Sequence, residues 1–189
     1  MKKLLTLLLA ILIITPTFAQ KRDITLDDLW QNYTFYPSYI GGFNSMNDGE
    51  YYSTIEKTEK GQEIIKHQFK DGKKVRTLFS SADFDIQRIN NYTFSDDEKQ
   101  LLLSTETEKI YRHSSKSAYY IYNVFTDKLK KLTDDKVMYA TFSPNGEKVA
   151  YVFDNNLYIK NIRSEKITQV TTDGKKNHII NGASDWVYE

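Results

Sequence analysis

Apolar and polar positions alternate in short runs along most of this chain. Tyr119-Tyr120-Ile121-Tyr122-Asn123-Val124 and Leu157-Tyr158-Ile159-Lys160-Asn161-Ile162 read as strands. Each is followed by a polar turn and a shorter strand, Leu129 to Leu132 in one case and Ile167 to Val170 in the other. Before each pair stands a second motif. Phe94-Ser95-Asp96-Asp97-Glu98-Lys99 leads into Gln100 to Leu103, and Phe142-Ser143-Pro144-Asn145-Gly146-Glu147 leads into Lys148 to Tyr151. A weaker copy, Ser45-Met46-Asn47-Asp48-Gly49-Glu50, precedes Tyr51-Tyr52-Ser53. The Asp-Gly and Asn-Gly pairs predict hairpin turns in which both central residues take positive φ.

The copies define a period. Phe94 and Phe142 stand 48 residues apart, and each unit holds about four short strands. That is the length and content of one propeller blade. A β-sandwich, the competing all-β layout, has no reason to repeat at a fixed interval. The predicted fold is therefore an all-β, partial β-propeller of about three blades over residues 41–189. Closed rings need about 4 to 8 blades, so the ring is expected to continue past Glu189, the chain being a truncated piece.

The units differ in one informative respect. Their turn motifs are 48 residues apart, whereas the strands at Tyr119 and Leu157 are only 38 apart. The earlier unit thus carries ten extra residues, within Glu106 to Ser117, which are expected to form a projecting loop. Such loops often carry function. Its best candidate is Arg112, whose guanidinium can donate two parallel hydrogen bonds to a carboxylate or straddle a carbonyl; an ordinary solvated loop is the alternative.

Ahead of the blades the pattern changes. Lys2 and Lys3, the apolar run Leu4 to Ile14, and Thr17-Phe18-Ala19 have the layout of a cleavable secretory leader over residues 1–19. The apolar run is shorter than the roughly 20 residues a membrane span needs, although an uncleaved anchor is the competing reading. A lead-in over residues 20–40 follows. Within it Thr25-Leu26-Asp27-Asp28 predicts a short helix with a capping box, and Leu26, Leu29 and Trp30 would share one face.

Composition narrows the chemistry. Lys and Arg number 26 against 25 Asp and Glu, a net charge of +1, so no basic excess exists to hold a nucleic acid. The absence of cysteine excludes disulfides, thiolate metal sites and cysteine nucleophiles. His67, His113 and His178 lack metal-ligand spacing, and no cofactor motif is present. No G-x-S-x-G nucleophile elbow occurs. Asn32-Tyr33-Thr34 and Asn91-Tyr92-Thr93 match the short glycosylation sequon. Asp185 and Glu189 are four apart, either as surface acids or as groups flanking a cation site.

Several segments together resemble the N-terminal part of dipeptidyl peptidase IV-type serine peptidases. They are Ile24 to Trp30, Ser45 to Tyr52, Arg112-His113-Ser114, and Asn181-Gly182-Ala183-Ser184-Asp185-Trp186-Val187-Tyr188-Glu189. The last two are the specific signals. The resemblance implies an eight-bladed propeller above a C-terminal α/β-hydrolase domain that holds the Ser-Asp-His triad. It implies release of X-Pro or X-Ala dipeptides from peptide N-termini, export to the periplasm or medium, and a homodimer when full length. In such peptidases the arginine of the Arg-His-Ser segment orients the substrate backbone, a role that falls on Arg112. Three acids after Asp-Trp-x-Tyr hold the substrate amine, chiefly the second and third, and Glu189 matches the first. Without the triad, this chain alone is expected to be inactive. A TolB-like binding propeller and a tripeptide-releasing relative remain alternatives.

The chemistry suits an exopeptidase. A free α-amine with a pKa of about 7.7–8.0 is mostly cationic at neutral pH. Shielded carboxylates favour that ammonium over an internal amide, which would leave the acids desolvated and unpaired.

Overall fold

The computed structural model describes residues 23–37, 42–185 and 187–188. The expected leader at residues 1–19 lies outside them, as do Trp186 and Glu189. The chain divides into two compact units, residues 1–39 and 40–189.

In the first unit a helix forms where the capping box predicts one. Helix α1 spans Leu26–Trp30. The Thr25 hydroxyl accepts from the Asp28 N–H at 3.1 Å, and the Asp28 carboxylate accepts from the Thr25 N–H at 3.0 Å. Leu26, Leu29 and Trp30 are exposed.

The second unit consists of three four-stranded antiparallel sheets, each built from strands consecutive in sequence. The first holds β1 (Asn44–Ser45), β2 (Tyr51–Thr58), β3 (Gly61–Gln68) and β4 (Lys74–Ser80). The second holds β5 (Ile89–Phe94), β6 (Gln100–Lys109), β7 (Ser115–Asn123) and β8 (Lys128–Lys131). The third holds β9 (Met138–Phe142), β10 (Lys148–Phe153), β11 (Asn156–Asn161) and β12 (Ile167–Gln169). These are three blades of a partial propeller, as the repeat predicts.

The middle sheet is buried on both faces, which explains the unbroken apolar run Leu101-Leu102-Leu103. Successive side chains of a strand point to opposite faces. Leu101 and Leu103 pack with Ile64, Leu78 and Phe79 of the first sheet, while Leu102 packs with Val149 and Tyr151 of the third. All three leucines are essentially inaccessible to solvent, and each stabilises the fold by about 1.5–3 kcal/mol through burial.

The repeated polar motif forms the same turn in each blade, but not the one expected. Gly49, Glu98 and Gly146 take left-handed φ of 69°, 56° and 68°, whereas the residues before them do not. Each donates its N–H to the residue three back: Met46, Ser95 and Ser143. The turns are thus of type I, closed by one left-handed residue, rather than having both central residues at positive φ. An Asx side chain explains the choice. Asp48, Asp97 and Asn145 each accept a backbone N–H from two residues ahead, fixing the turn from within. Turns of successive blades also bond to one another. The Asn47 side chain donates to the Asp96 carbonyl at 2.7 Å, and the Gln100 side chain to the Gly146 carbonyl at 2.9 Å.

Candidate functional site

The extra residues of the second blade are mostly strand rather than loop. Strands β6 and β7 run on to Lys109 and from Ser115, pairing Glu108 with Lys116 and Lys109 with Ser115. Only residues 110–114 form the tip. The projecting loop expected over Glu106 to Ser117 is therefore a long hairpin arm with a short end. A register shift between Thr105 and Glu108 bends the arm, with Glu106 at a φ of 49°.

Polar contacts hold the arm against its neighbours. Ser117 and Val137 exchange backbone hydrogen bonds at 2.9 and 3.0 Å. The Thr107 and Ser117 hydroxyls are 2.7 Å apart. Glu108 receives Lys136 at 2.7 Å and Lys116 at 3.0 Å, and Lys136 also lies 3.4 Å from Glu106. The hydrogen bond from Lys136, reinforced by Lys116, holds the Glu108 carboxyl below its ordinary range. The same bond to Glu108 raises the Lys136 ammonium.

At the tip, the Ser114 carbonyl accepts from the N–H groups of Ile110 and Tyr111 at 3.0 and 3.3 Å. This closure leaves Tyr111, Arg112 and His113 exposed. Facing the arm is the segment that follows the third blade. Its backbone is held by scattered main-chain and side-chain hydrogen bonds, with one isolated bridge between Lys175 and Ile179. Asn156 accepts from the Thr171 hydroxyl and the Gly174 N–H at 3.2 and 3.0 Å. The Asn181 N–H donates to the Asn155 carbonyl at 3.0 Å. Gly182, at a φ of 77°, lies so close to β10 that a β-carbon there would meet Val152 at 2.7 Å. Asp185 then turns the chain, accepting from the N–H groups of Val187 and Tyr188 at 2.9 and 3.2 Å.

Arm and segment enclose a cleft of about 670 Å³. Ile110, Tyr111, Ser114 and Lys116 form one wall. Lys176, Asn177, His178, Ala183, Ser184 and Asp185 form the other, with Asp154 and Asn155 of the β10–β11 turn between them. The Arg-His-Ser segment and the Asp-Trp-x-Tyr segment, distant in sequence, thus border one space. Arg112 stands at the exposed tip beside this cleft rather than in its wall, and Glu189 lies outside the described residues. The three histidines separate: His67 is buried in β3, bonded to Thr54 and close to Glu56, whereas His113 is at the tip and His178 in the far wall. Among the described residues no group of three or more His, Cys, Asp or Glu is placed to hold a metal ion. No described helix is long and apolar enough to cross a membrane.

Comparison with known proteins agrees with the geometry. Residues 95–189 match the dipeptidyl peptidase IV (DPP IV) N-terminal region. The chain belongs to this family. Dipeptidyl peptidase 4 of Porphyromonas gingivalis, a solved structure, superposes with a TM-score of 0.77 at 38% identity, over 89% of this chain and 24% of its own. Human prolyl endopeptidase FAP is 28% identical over 89% of this chain and 21% of its own length. Feline dipeptidyl peptidase 4 is 38% identical over 53% of this chain and 14% of its own. The chain thus spans a quarter or less of these relatives. The family match takes in Arg112 and the whole of the opposing segment, so both walls of the cleft fall within it.

Sequence reasoning missed two contributors to this site. The Asp154-Asn155 turn was legible in principle, as an Asx pair between apolar runs. Here both residues do take positive φ, 43° and 59°. Ser114 gave no signal beyond its place in the Arg-His-Ser segment.

Proposed function

We propose that this chain is the N-terminal propeller portion of an exported DPP IV-like serine peptidase, and that it borders the entrance where a peptide's free N-terminus is held. The observation that carries the reading is the meeting of the Arg112 hairpin with the Asp185 segment around one cleft. The triad belongs to a C-terminal hydrolase domain, as the family resemblance implies, and the substrates are peptides with a free amine and proline or alanine second. Arg112 acts as the substrate-orienting group: it is exposed at the end of an arm stiffened along its length, so it reaches outward from a fixed base. Glu189, four residues beyond the Asp185 turn, is the first acid of the amine site. The family's homodimer is carried over in the same way.

The test uses the full-length protein and Gly-Pro-p-nitroanilide. Arg112→Ala should raise KM and lower kcat, with the fold intact. Arg112→Lys should restore only part of the loss, since an ammonium lacks the planar fork. An unchanged kcat/KM in Arg112→Ala would sink the assignment. An endopeptidase is the second reading, favoured by the match to a protein named prolyl endopeptidase. N-acetyl-Gly-Pro-p-nitroanilide separates the two: an exopeptidase that requires the free amine leaves it uncut. Export is tested on the mature protein, whose N-terminus should lie at or near Gln20.

A further inference from the structure

Among the described residues, buried side-chain hydroxyls have hydrogen-bond partners, with one exception. Ser53 pairs with Tyr92 at 2.7 Å, Ser81 accepts from the Gln62 N–H at 2.9 Å, and Ser95 donates to Asp97 at 2.7 Å. Ser104 donates to the Asn91 carbonyl at 3.2 Å. Ser114 is 2% exposed, and among the described residues its Oγ is the buried side-chain polar atom that has no hydrogen-bond partner. A buried hydroxyl left unpaired is destabilising, and such a group calls for an explanation.

Position supplies one. Ser114 lines the cleft between the arm and the Asp185 segment, and its carbonyl closes the tip that carries Arg112. Rotation about one side-chain bond moves Oγ among three staggered positions. A molecule filling the cleft would therefore meet a hydroxyl able both to donate and to accept. We propose that Ser114 is a substrate-binding residue whose hydroxyl is satisfied by the main chain of the peptide's N-terminal residues. This rests on the peptidase reading. The hydroxyl is neutral, so it adds no preference for charge; it recognises the peptide's amide groups, while the acids select the ammonium. The bond is present in the ground state and in the transition state alike, so its loss should fall on KM rather than kcat.

The experiment compares Ser114→Ala with the wild type in the full-length protein, using Gly-Pro-p-nitroanilide and thermal unfolding. Ser104→Ala, which removes a satisfied hydroxyl away from the cleft, is the control. Ser114→Ala should raise KM roughly 3- to 10-fold at unchanged kcat, with a Tm equal to or above that of the wild type. Ser104→Ala should show the reverse, a lowered Tm with unchanged kinetics. A lowered Tm in Ser114→Ala assigns the hydroxyl to the fold and overturns the proposal. So does an unchanged KM when the wild type is active. If the wild type itself releases no dipeptide, the peptidase reading falls, and the peptide role of Ser114 falls with it.

Discussion

Tyr92→Phe removes one oxygen and leaves the packing intact, so its effect is a clean measure of how the first two blades are tied. Tyr92 is 1% exposed on β5. Its hydroxyl donates to the Gly42 carbonyl at 2.7 Å and lies 2.7 Å from the Ser53 hydroxyl, which is itself fully buried on β2. Burial pushes the phenol pKa up, so it remains a donor across the working pH range. The phenylalanine ring keeps the aromatic contact with Phe94. What is lost is two hydrogen bonds, one to the carbonyl of half-buried Gly42 and one to buried Ser53. Ser53 retains only a long 3.5 Å reach to the Asn44 carbonyl. At about 1 kcal/mol for each bond, the destabilisation is about 2 kcal/mol. Expressed locally, it accelerates amide exchange roughly 30-fold where opening of the first sheet limits the rate. Hydrogen-exchange mass spectrometry of the intact protein should show this in peptides covering residues 42–55 and not in those covering 147–162. Adding Ser53→Ala to Tyr92→Phe should cost little more, because the partners are already separated. A change below threefold in the first sheet, or equal acceleration in all three, would refute the reasoning.

Two further outcomes are expected. Asp185→Ala removes the acceptor for the Val187 and Tyr188 N–H groups; in the full-length protein it should lower kcat/KM for dipeptidyl substrates about 10-fold, by loosening the turn ahead of Glu189, while Asp185→Asn, which keeps an oxygen acceptor, should recover most of it. Equal losses in both would point to the charge instead. The pair Glu108 and Lys136 gives a pH signature: because the folded Glu108 pKa is lowered, its contribution is present above the unfolded carboxylate pKa and lost as pH falls through the folded value, and because the folded Lys136 pKa is raised, its contribution is present below the unfolded lysine pKa and lost as pH rises through the folded value. Thermal unfolding of Glu108→Gln should therefore differ from wild type near neutrality and converge with it in acid; a constant difference at all pH values would contradict the pairing.

The blades were legible because strand alternation and the turn motif repeat together. Even the second blade, whose motif reads Asp-Asp-Glu where the others read Asp-Gly and Asn-Gly, could be aligned, since Ser95, Asp97 and the apolar run keep their places. The detailed turn type was not legible. It depends on which backbone N–H an Asx side chain captures, and the Asp-Gly pair alone does not encode that. The surplus in the second blade was counted correctly but assigned the wrong shape. Glu106, Glu108 and Lys116 look like solvated loop residues until Lys136, distant in sequence, arrives to pair with them. The segment from Thr171 to Asp185 had no period to read, because its backbone is held by scattered hydrogen bonds, to Leu157, Asn156 and Asn155 among others, and not by a strand ladder. Ser114 shows the limit most clearly: an unpaired hydroxyl is a statement about three-dimensional surroundings, and no local pattern carries it.

The bonds between neighbouring turns bear on how such a ring lengthens or shortens. Asn47 reaches Asp96 and Gln100 reaches Gly146, so each junction ends on a residue of the next unit's turn. In both cases the receiving group is a main-chain carbonyl, which every residue possesses. A duplicated unit inserted into the series would meet main-chain carbonyls in its neighbour's turn, but would need a side-chain amide placed to reach one of them. The donors, however, sit at different points of their motifs, Asn47 within its turn and Gln100 just after its own. Each junction therefore has its own donor and its own acceptor position, and at the first of them the Asn47 N–H also donates to the Glu98 carboxylate. Such an arrangement discourages exchange of one repeat for another.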